Sequence, residues 1–436
     1  MQSISVMTML TALPALLKTA IIFAVIIFAI QKKVSLANAF MAGALLLAPF
    51  FRLSFSKTGT AFFDCLTDPK TIALCLIVAF ILMLSSSLEQ SGQLKRMLAD
   101  FRGLIKNPKL NLALFPAIIG LLPMPGGAVF SAPMVKELGG QSELPADYLS
   151  YINYWFRHIW EYWWPMYPGV LLATLLADIN LAAFIAMMFP FTLIVVLIGW
   201  IPVEGTRLRP ADIAPAGGRR IKPFLKEIWP ILFVIVAGIG LGWIFSTATD
   251  GRFSVAKEAG LIISLCAGNL MVWRSNAMSG KDIRKIVVNP HVFNMVYMIA
   301  AILLFKQILE NSGAVDEICS ELISLKIPLV LVWGILPFIV GLLTGITIAF
   351  VGSTFPILIT LAAAGGHEQL MMPYIMLALS CGFSGVLLSP VHLCLLLSNN
   401  FFGTTLPPVY RLLWFPCLCL IGWAFIYFAI LHRFLG

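Results

Sequence analysis

Two short strings recur in this chain at one fixed spacing. Leu88-Glu89-Gln90-Ser91-Gly92 returns as Leu309-Glu310-Asn311-Ser312-Gly313, and Gly120-Leu121-Leu122 returns as Gly341-Leu342-Leu343. Position 89 maps onto 310 and position 120 onto 341, an offset of 221 both times. One offset shared by two strings, each followed by a broken apolar segment, predicts two halves with one fold. In a membrane chain, duplicated halves with interrupted apolar segments point to a secondary transporter with its site at the repeat interface.

The membrane reading rests on composition. Of 436 residues, 60% are hydrophobic and 11% charged. Ile21 to Ile30, Leu193 to Trp200 and Ile231 to Ile244 lie in runs almost free of charge. Such runs need lipid or other buried helices around them. The first run carries Lys18 and no small-residue cleavage site stands out, so it reads as a span rather than a signal peptide. The eight cysteines are scattered, without Cys-x-x-Cys, and read as small buried hydrophobes.

The net charge of +9 gathers between spans. One cluster is Lys95, Arg96, Arg102, Lys106 and Lys109; a second is Arg207, Arg209, Arg219, Arg220, Lys222 and Lys226; a third is Arg274, Lys281, Arg284 and Lys285. Placing these loops in the cytoplasm satisfies the positive-inside rule. The counterpart of the first cluster is acidic, with Asp316, Glu317 and Glu321 against Lys326, which puts that loop outside. A nucleic-acid partner would need a basic face on a soluble domain, and no such domain is visible.

The predicted fold is an all-α polytopic membrane protein of two inverted-topology repeats. In the first half, residues 1–89 hold spans near 13–31, 35–51 and 71–88. An amphipathic arm follows at 90–109, then a segment at 110–137 broken by Pro123-Met124-Pro125-Gly126-Gly127, spans within 147–201 and a cytoplasmic loop at 202–228. The second half repeats that order: spans within 229–309, an arm at 310–326, a broken segment at 328–363 and spans within 370–431. The charge rule makes each broken segment a re-entrant helical hairpin, entered from opposite faces, and puts both termini outside. The arm 110–122 would be roughly 20 Å of helix, short of a hydrocarbon core about 30 Å thick. A proline kink between two full spans is the alternative, but it would reverse the side of every later loop. Unwound tips at the midplane must line protein or a watery cavity, so they are the first candidates for a site.

At the first tip, Pro125, Gly126 and Gly127 free backbone carbonyls and lead into a half-helix whose N-terminus suits an anion, with Ser131 one turn on. At the second, Thr344, Gly345 and Thr347, with Ser353 and Thr354 beyond, offer oxygens suited to Na⁺. The hydroxyls could equally bond back to their own helices. The densest signal runs from Tyr154 to Gly169, with Arg157, His158 and Glu161 inside a span broken by Pro165 and Pro168. Arg157 could take a carboxylate as a planar fork, or simply pair with Glu161. The matching span in the second half carries Ser384, Ser389, Pro390 and His392. Ser384 and Ser389 could join a cation cage, and His158, Glu161 and His392 are proton-coupling candidates. Glu89 and Glu310 read as structural, Glu310 within reach of Lys306.

The string Leu122-Pro123-Met124-Pro125-Gly126-Gly127-Ala128-Val129-Phe130-Ser131-Ala132-Pro133-Met134, with Tyr154-Trp155-Phe156-Arg157-His158-Ile159-Trp160-Glu161-Tyr162-Trp163-Trp164-Pro165, resembles a prokaryotic membrane family of unknown function, domain-of-unknown-function 401. That family is grouped with the ion-transporter superfamily. The resemblance implies a scaffold (1–89 and 229–309) linked by the two arms to a moving transport domain (both hairpins, 147–201 and 370–431), an elevator-like motion, a homodimer and the cytoplasmic membrane. Dicarboxylate carriers of the superfamily have Ser-Asn-Thr at both tips. The tips here, Pro123-Met124-Pro125-Gly126-Gly127 and Gly352-Ser353-Thr354, depart from that, which argues against carrying over dicarboxylate specificity or a two-sodium site.

The expected function is therefore secondary transport of a small organic anion coupled to Na⁺ or H⁺, with no cofactor beyond Na⁺. The alternative is a Na⁺/H⁺ antiporter without an organic substrate. No His-Glu-x-x-His, Gly-x-Ser-x-Gly or phosphate loop supports an enzyme.

Overall fold

A computed structural model describes residues 13–435, apart from 102–103, 106, 125, 141–143, 205–220 and 251. Every regular element among them is helical. The first half runs α1 (Ala15–Gln31), α2 (Leu36–Phe50), α3 (Phe55–Thr67), α4 (Pro69–Gln90), α5 (Gln93–Phe101), α6 (Pro108–Gly120), α7 (Ala128–Gly140), α8 (Ala146–Arg157), α9 (Pro168–Leu176) and α10 (Leu181–Glu204). The second runs α11 (Ile221–Ala248), α12 (Ala256–Ser275), α13 (Gly280–Val287), α14 (Pro290–Asn311), α15 (Ala314–Ser324), α16 (Leu329–Thr344), α17 (Thr347–Ala364), α18 (Met371–Leu387), α19 (Leu393–Phe402) and α20 (Leu406–Leu435). Helices begin at 69 and 290, at 93 and 314, and at 108 and 329, each pair at the sequence offset. Two short helices, α3 and α13, were not legible as elements, although Ser54 and Ser279 cap them in the same way.

Each recurring string has a local physical cause. Gly92 and Gly313 both sit at φ +71°, a left-handed turn that glycine adopts without strain. The serine before each bonds back to Leu88 or Leu309 and accepts from the amide two residues on, so α4 turns into α5 as α14 turns into α15. Gly120 and Gly341 serve close crossings. A Cβ on Gly120 would run into the Arg157 carbonyl of α8, and one on Gly341 into the Gly382 carbonyl of α18. Lys306 pairs with Glu310 at 3.4 Å.

Seven described helices are long and apolar enough to cross a membrane, and the protein is membrane-embedded. Those in α10, α11 and α20 are only 28–33% buried along their apolar windows, with Leu197, Val236, Trp243 and Trp414 outward, as lipid-facing helices should be. The one ending in α18 is 94% buried, at the centre. α6 and α7 have 13 residues each, but α17 has 18, so the second broken segment contains one arm of spanning length.

Packing gathers the helices into two groups. In one, α11 packs on α12, α12 on α4 and α14 on α2; in the other, α16 packs on α18, α6 on α8 and α18 on α20. The groups touch through α14–α17, α4–α9 and α1–α16. The two arms are latched reciprocally. On α5, Arg96 bonds Glu227 of α11 at 3.2 Å, and Gln93 donates to the Glu227 carbonyl at 2.8 Å. On α15, Glu321 accepts the Ala15 and Leu16 amides opening α1 at 2.6 and 2.9 Å. Lys18, the charge inside the first apolar run, is buried under Phe51 and reaches Glu317 at 3.6 Å.

The glycine crossings make a direct test. Gly341→Ala must push two backbones apart and should cost about 1–3 kcal/mol, read as a lowered melting temperature in detergent. Gly240→Ala, where nothing lies within 4 Å of an added Cβ, should leave it unchanged or raised.

Candidate functional site

Four helix interruptions meet inside the second group: between α6 and α7 (described at 121–124 and 126–127), and at residues 158–167, 345–346 and 388–392. Aromatic donors hold the first two together. A helix end leaves carbonyls without intrahelical partners. At the end of α6 the carbonyls of Ala117, Gly120 and Leu121 accept from Trp160 Nε1 at 2.7 Å, the Tyr167 hydroxyl at 2.6 Å and Trp164 Nε1 at 2.9 Å. The aromatic-rich string is thus a set of donors spaced to cap a broken helix, not an interfacial belt. Trp155 and Tyr151 reach α10, donating to the carbonyls of Val195 and Gly199 within that continuous helix.

Arg157 ends α8 and is 2% exposed. Its Nη2 donates to the Met124 carbonyl at 2.8 Å, and its guanidinium lies over Gly127, where a Cβ would stand 2.9 Å from Nε. Nη1 is 3.3 Å from both His158 Nε2 and Cys394 Sγ. Nε has no hydrogen-bond partner, and the guanidinium forms no ion pair among the described residues. The expected helical pairing of Arg157 with Glu161 is absent because α8 stops at Arg157. Glu161 lies in the following turns and approaches His158 Nε2 at 3.6 Å.

His158 Nδ1 is 2.5 Å from the Tyr154 carbonyl, and His392 Nδ1 is 2.9 Å from the Gly345 carbonyl. A carbonyl only accepts, so both rings donate through Nδ1. Their Nε2 atoms face each other at 3.3 Å. One imidazole comes from each half. The second interruption and the fourth therefore meet at this pair, and Thr347 at the start of α17 packs on Gly169 near the start of α9.

The other candidates lie around this cluster. Gly126 and Gly127 are at the first break, Gly126 at φ +73°; Pro125 lies outside the described residues. Ser131 donates to Asn153 Oδ1 at 2.6 Å, and Asn153 donates on to Ser398 at 2.9 Å. Thr344, Ser353, Thr354 and Ser384 are buried and donate to carbonyls four residues back, at 2.7–2.8 Å. Each of these hydroxyl protons thus points at its own helix, while the Gly345 carbonyl meets the His392 ring and the Ser389 carbonyl accepts from the His392 amide. Ser389 packs beside Gly345 and accepts from the Val391 amide at 3.4 Å. Asn153, Ser398 and Cys394 went unrecognised. Cys394 alone carried a signal, the His-x-Cys spacing after Pro390. A groove of about 720 Å³, lined by Lys70, Asp178, Ile235 and Trp243 among others, runs along the seam between the two helix groups.

Fold and site together define a membrane-embedded helical protein whose interrupted helices enclose a buried cationic and imidazole cluster. The chain belongs to the family described as "Protein of unknown function (DUF401)", which matches residues 15–430. No curated protein matches it.

The capping role can be checked by one atom. Tyr167→Phe leaves the Gly120 carbonyl buried without its donor and should cost about 1–3 kcal/mol, seen as a lower melting temperature. Tyr297→Phe, losing an exposed bond to Asn38, should change little.

Proposed function

We propose that the protein is a cation-coupled secondary transporter of a small organic anion, built from two inverted repeats that each contribute to a scaffold and to an elevator-like transport domain. The observation that carries this reading is Arg157. Among the described residues the buried guanidinium has an unpartnered Nε and no carboxylate at ion-pair distance, Glu161 acting on it only from further off, and a buried charge without a direct pair is costly by several kcal/mol. A carboxylate from solution would relieve that cost and accept from the planar fork. The start of α7 lies against the guanidinium at Gly127, whose own amide donates to the same Met124 carbonyl.

Three further observations support the architecture. The arms latch reciprocally, α5 onto α11 and α15 onto α1, as two-fold related halves require. The loops assigned to the cytoplasm come together, with Arg96 on Glu227 and Asn276 and Lys109 on the Glu204 carbonyl. The acidic α15 gathers with the start of α1 instead. The seam groove separates α4, α11 and α12 from α9 and α10, where relative motion would occur. In this reading the protein is a homodimer in the cytoplasmic membrane with both termini outside. It needs no organic cofactor, and nucleic acid is not a partner. Na⁺ would be held by Gly345 with Thr344, Thr347, Ser353, Thr354, Ser384 and Ser389.

Proton coupling through His158, Glu161 and His392 is the rival, favoured by their meeting across the two halves. The Na⁺/H⁺ antiporter without organic substrate rests on the same contacts. A pH jump on cation-loaded proteoliposomes separates it, because only the antiporter moves Na⁺ without an acid present.

A thermal-shift screen of organic acids, with and without Na⁺, should find an acid that stabilises the purified protein, because a ligand of the folded state raises apparent stability. Uptake of that acid into proteoliposomes should fall at least about tenfold in Arg157→Ala, with folded yield unchanged. Wild-type uptake by that variant would contradict the anion role.

A further inference from the structure

We infer that His158, His392 and Cys394 form a binding site for a transition-metal ion that seeks imidazole and thiolate, Zn²⁺ or Cu⁺. The three candidate ligand atoms lie within 4.8 Å of one another, and all three residues are buried. The imidazole nitrogens are already at the spacing a tetrahedral ion imposes. With Zn–N of about 2.0–2.1 Å, two ligands stand roughly 3.4 Å apart, against 3.3 Å between the two Nε2 atoms.

The second set of contacts is the one that metal-binding histidines use. Each ring donates Nδ1–H to a backbone carbonyl, Tyr154 or Gly345, which fixes the tautomer and aims the Nε2 lone pair inward. Two neutral imidazoles aimed at each other present lone pair to lone pair, an arrangement that an electron-pair acceptor between them would stabilise. Cys394 supplies the third ligand and sets the chemistry. Sulfur with two imidazoles selects Zn²⁺ or Cu⁺ over Na⁺, Mg²⁺ or Ca²⁺. Arg157 Nη1 now touches both His158 Nε2 and Cys394 Sγ. A bound ion takes those lone pairs, so Nη1 is displaced while Nη2 keeps the Met124 carbonyl. The adjacent guanidinium favours the lower net charge. An ionised Cys394 leaves a Cu⁺ site neutral and a Zn²⁺ site at one positive charge. None of this depends on what the protein transports.

The test uses the full-length protein in detergent, thiol-reduced and stripped of metal. Co²⁺ added as a probe should bind at one ion per chain, with a thiolate-to-cobalt absorption band that Zn²⁺ abolishes. Cu⁺, added anaerobically with a competing chelator, tells the two ions apart by relative affinity. Cys394→Ser should remove the band, and His392→Gln should weaken binding at least about tenfold. Cys381→Ser, a buried thiol elsewhere, should do neither. Should either variant fail to fold, zinc-edge X-ray absorption of the wild type decides. The expected first shell has two imidazoles at about 2.0–2.1 Å and one sulfur at about 2.3 Å. Absence of the band in wild type, a shell without sulfur, or unchanged binding in folded Cys394→Ser and His392→Gln would overturn the site. Loss of anion uptake with metal binding intact would bear on the transport reading alone.

Discussion

A guanidinium held inside the protein between an unwound carbonyl, that of Met124, and the His158 and Cys394 side chains is the constraint around which the rest is arranged. Arg157 meets the Met124 carbonyl only because the chain is not helical at 121–124. It fits there only because Gly127 has no side chain. Unwinding leaves carbonyls at the end of α6 that lipid could not satisfy. Trp160, Trp164 and Tyr167 satisfy them. The aromatic string and the broken helix are thus one structural device, and the charge beside them is what makes the device worth its cost.

The second half builds the same crossing without the charge. Gly341 meets Gly382 as Gly120 meets Arg157, and the next interruption carries His392 on the Gly345 carbonyl. One half contributes a cation and an imidazole, the other an imidazole and a thiol. The contact between His158 and His392 joins them, so neither half encloses the cluster by itself.

Much of this was legible beforehand, and for identifiable reasons. The offset of 221 located helix starts well, because Pro69 and Pro290, like Ser-Gly at 91–92 and 312–313, act through local backbone preferences that depend on few neighbours. Proline pairs, Pro123 with Pro125 and Pro165 with Pro168, marked the two breaks of the first half for the same reason. Partners across the fold were not legible. Helical spacing joined Arg157 to Glu161, yet the helix ends between them. For the serines and threonines of the second break the sequence left two readings open, an ion cage or bonds back to their own helices, because spacing does not show where a hydroxyl proton points; Thr344 and Ser353 donate theirs to Val340 and Ala349. Cys394 looked like any buried thiol, because its meaning comes from His158, 236 positions earlier in the chain.

The central claim is that the two halves lie upside down to each other, with their breaks meeting in the membrane's interior. Single cysteines at Lys136, at the end of the first broken segment, and at Glu368, after the second, test it most directly in a background free of native cysteine. Both positions are exposed. With a membrane-impermeant thiol reagent on intact cells, the account predicts labelling at 368 from outside and at 136 only after the membrane is opened. Labelling of both from one side would contradict it.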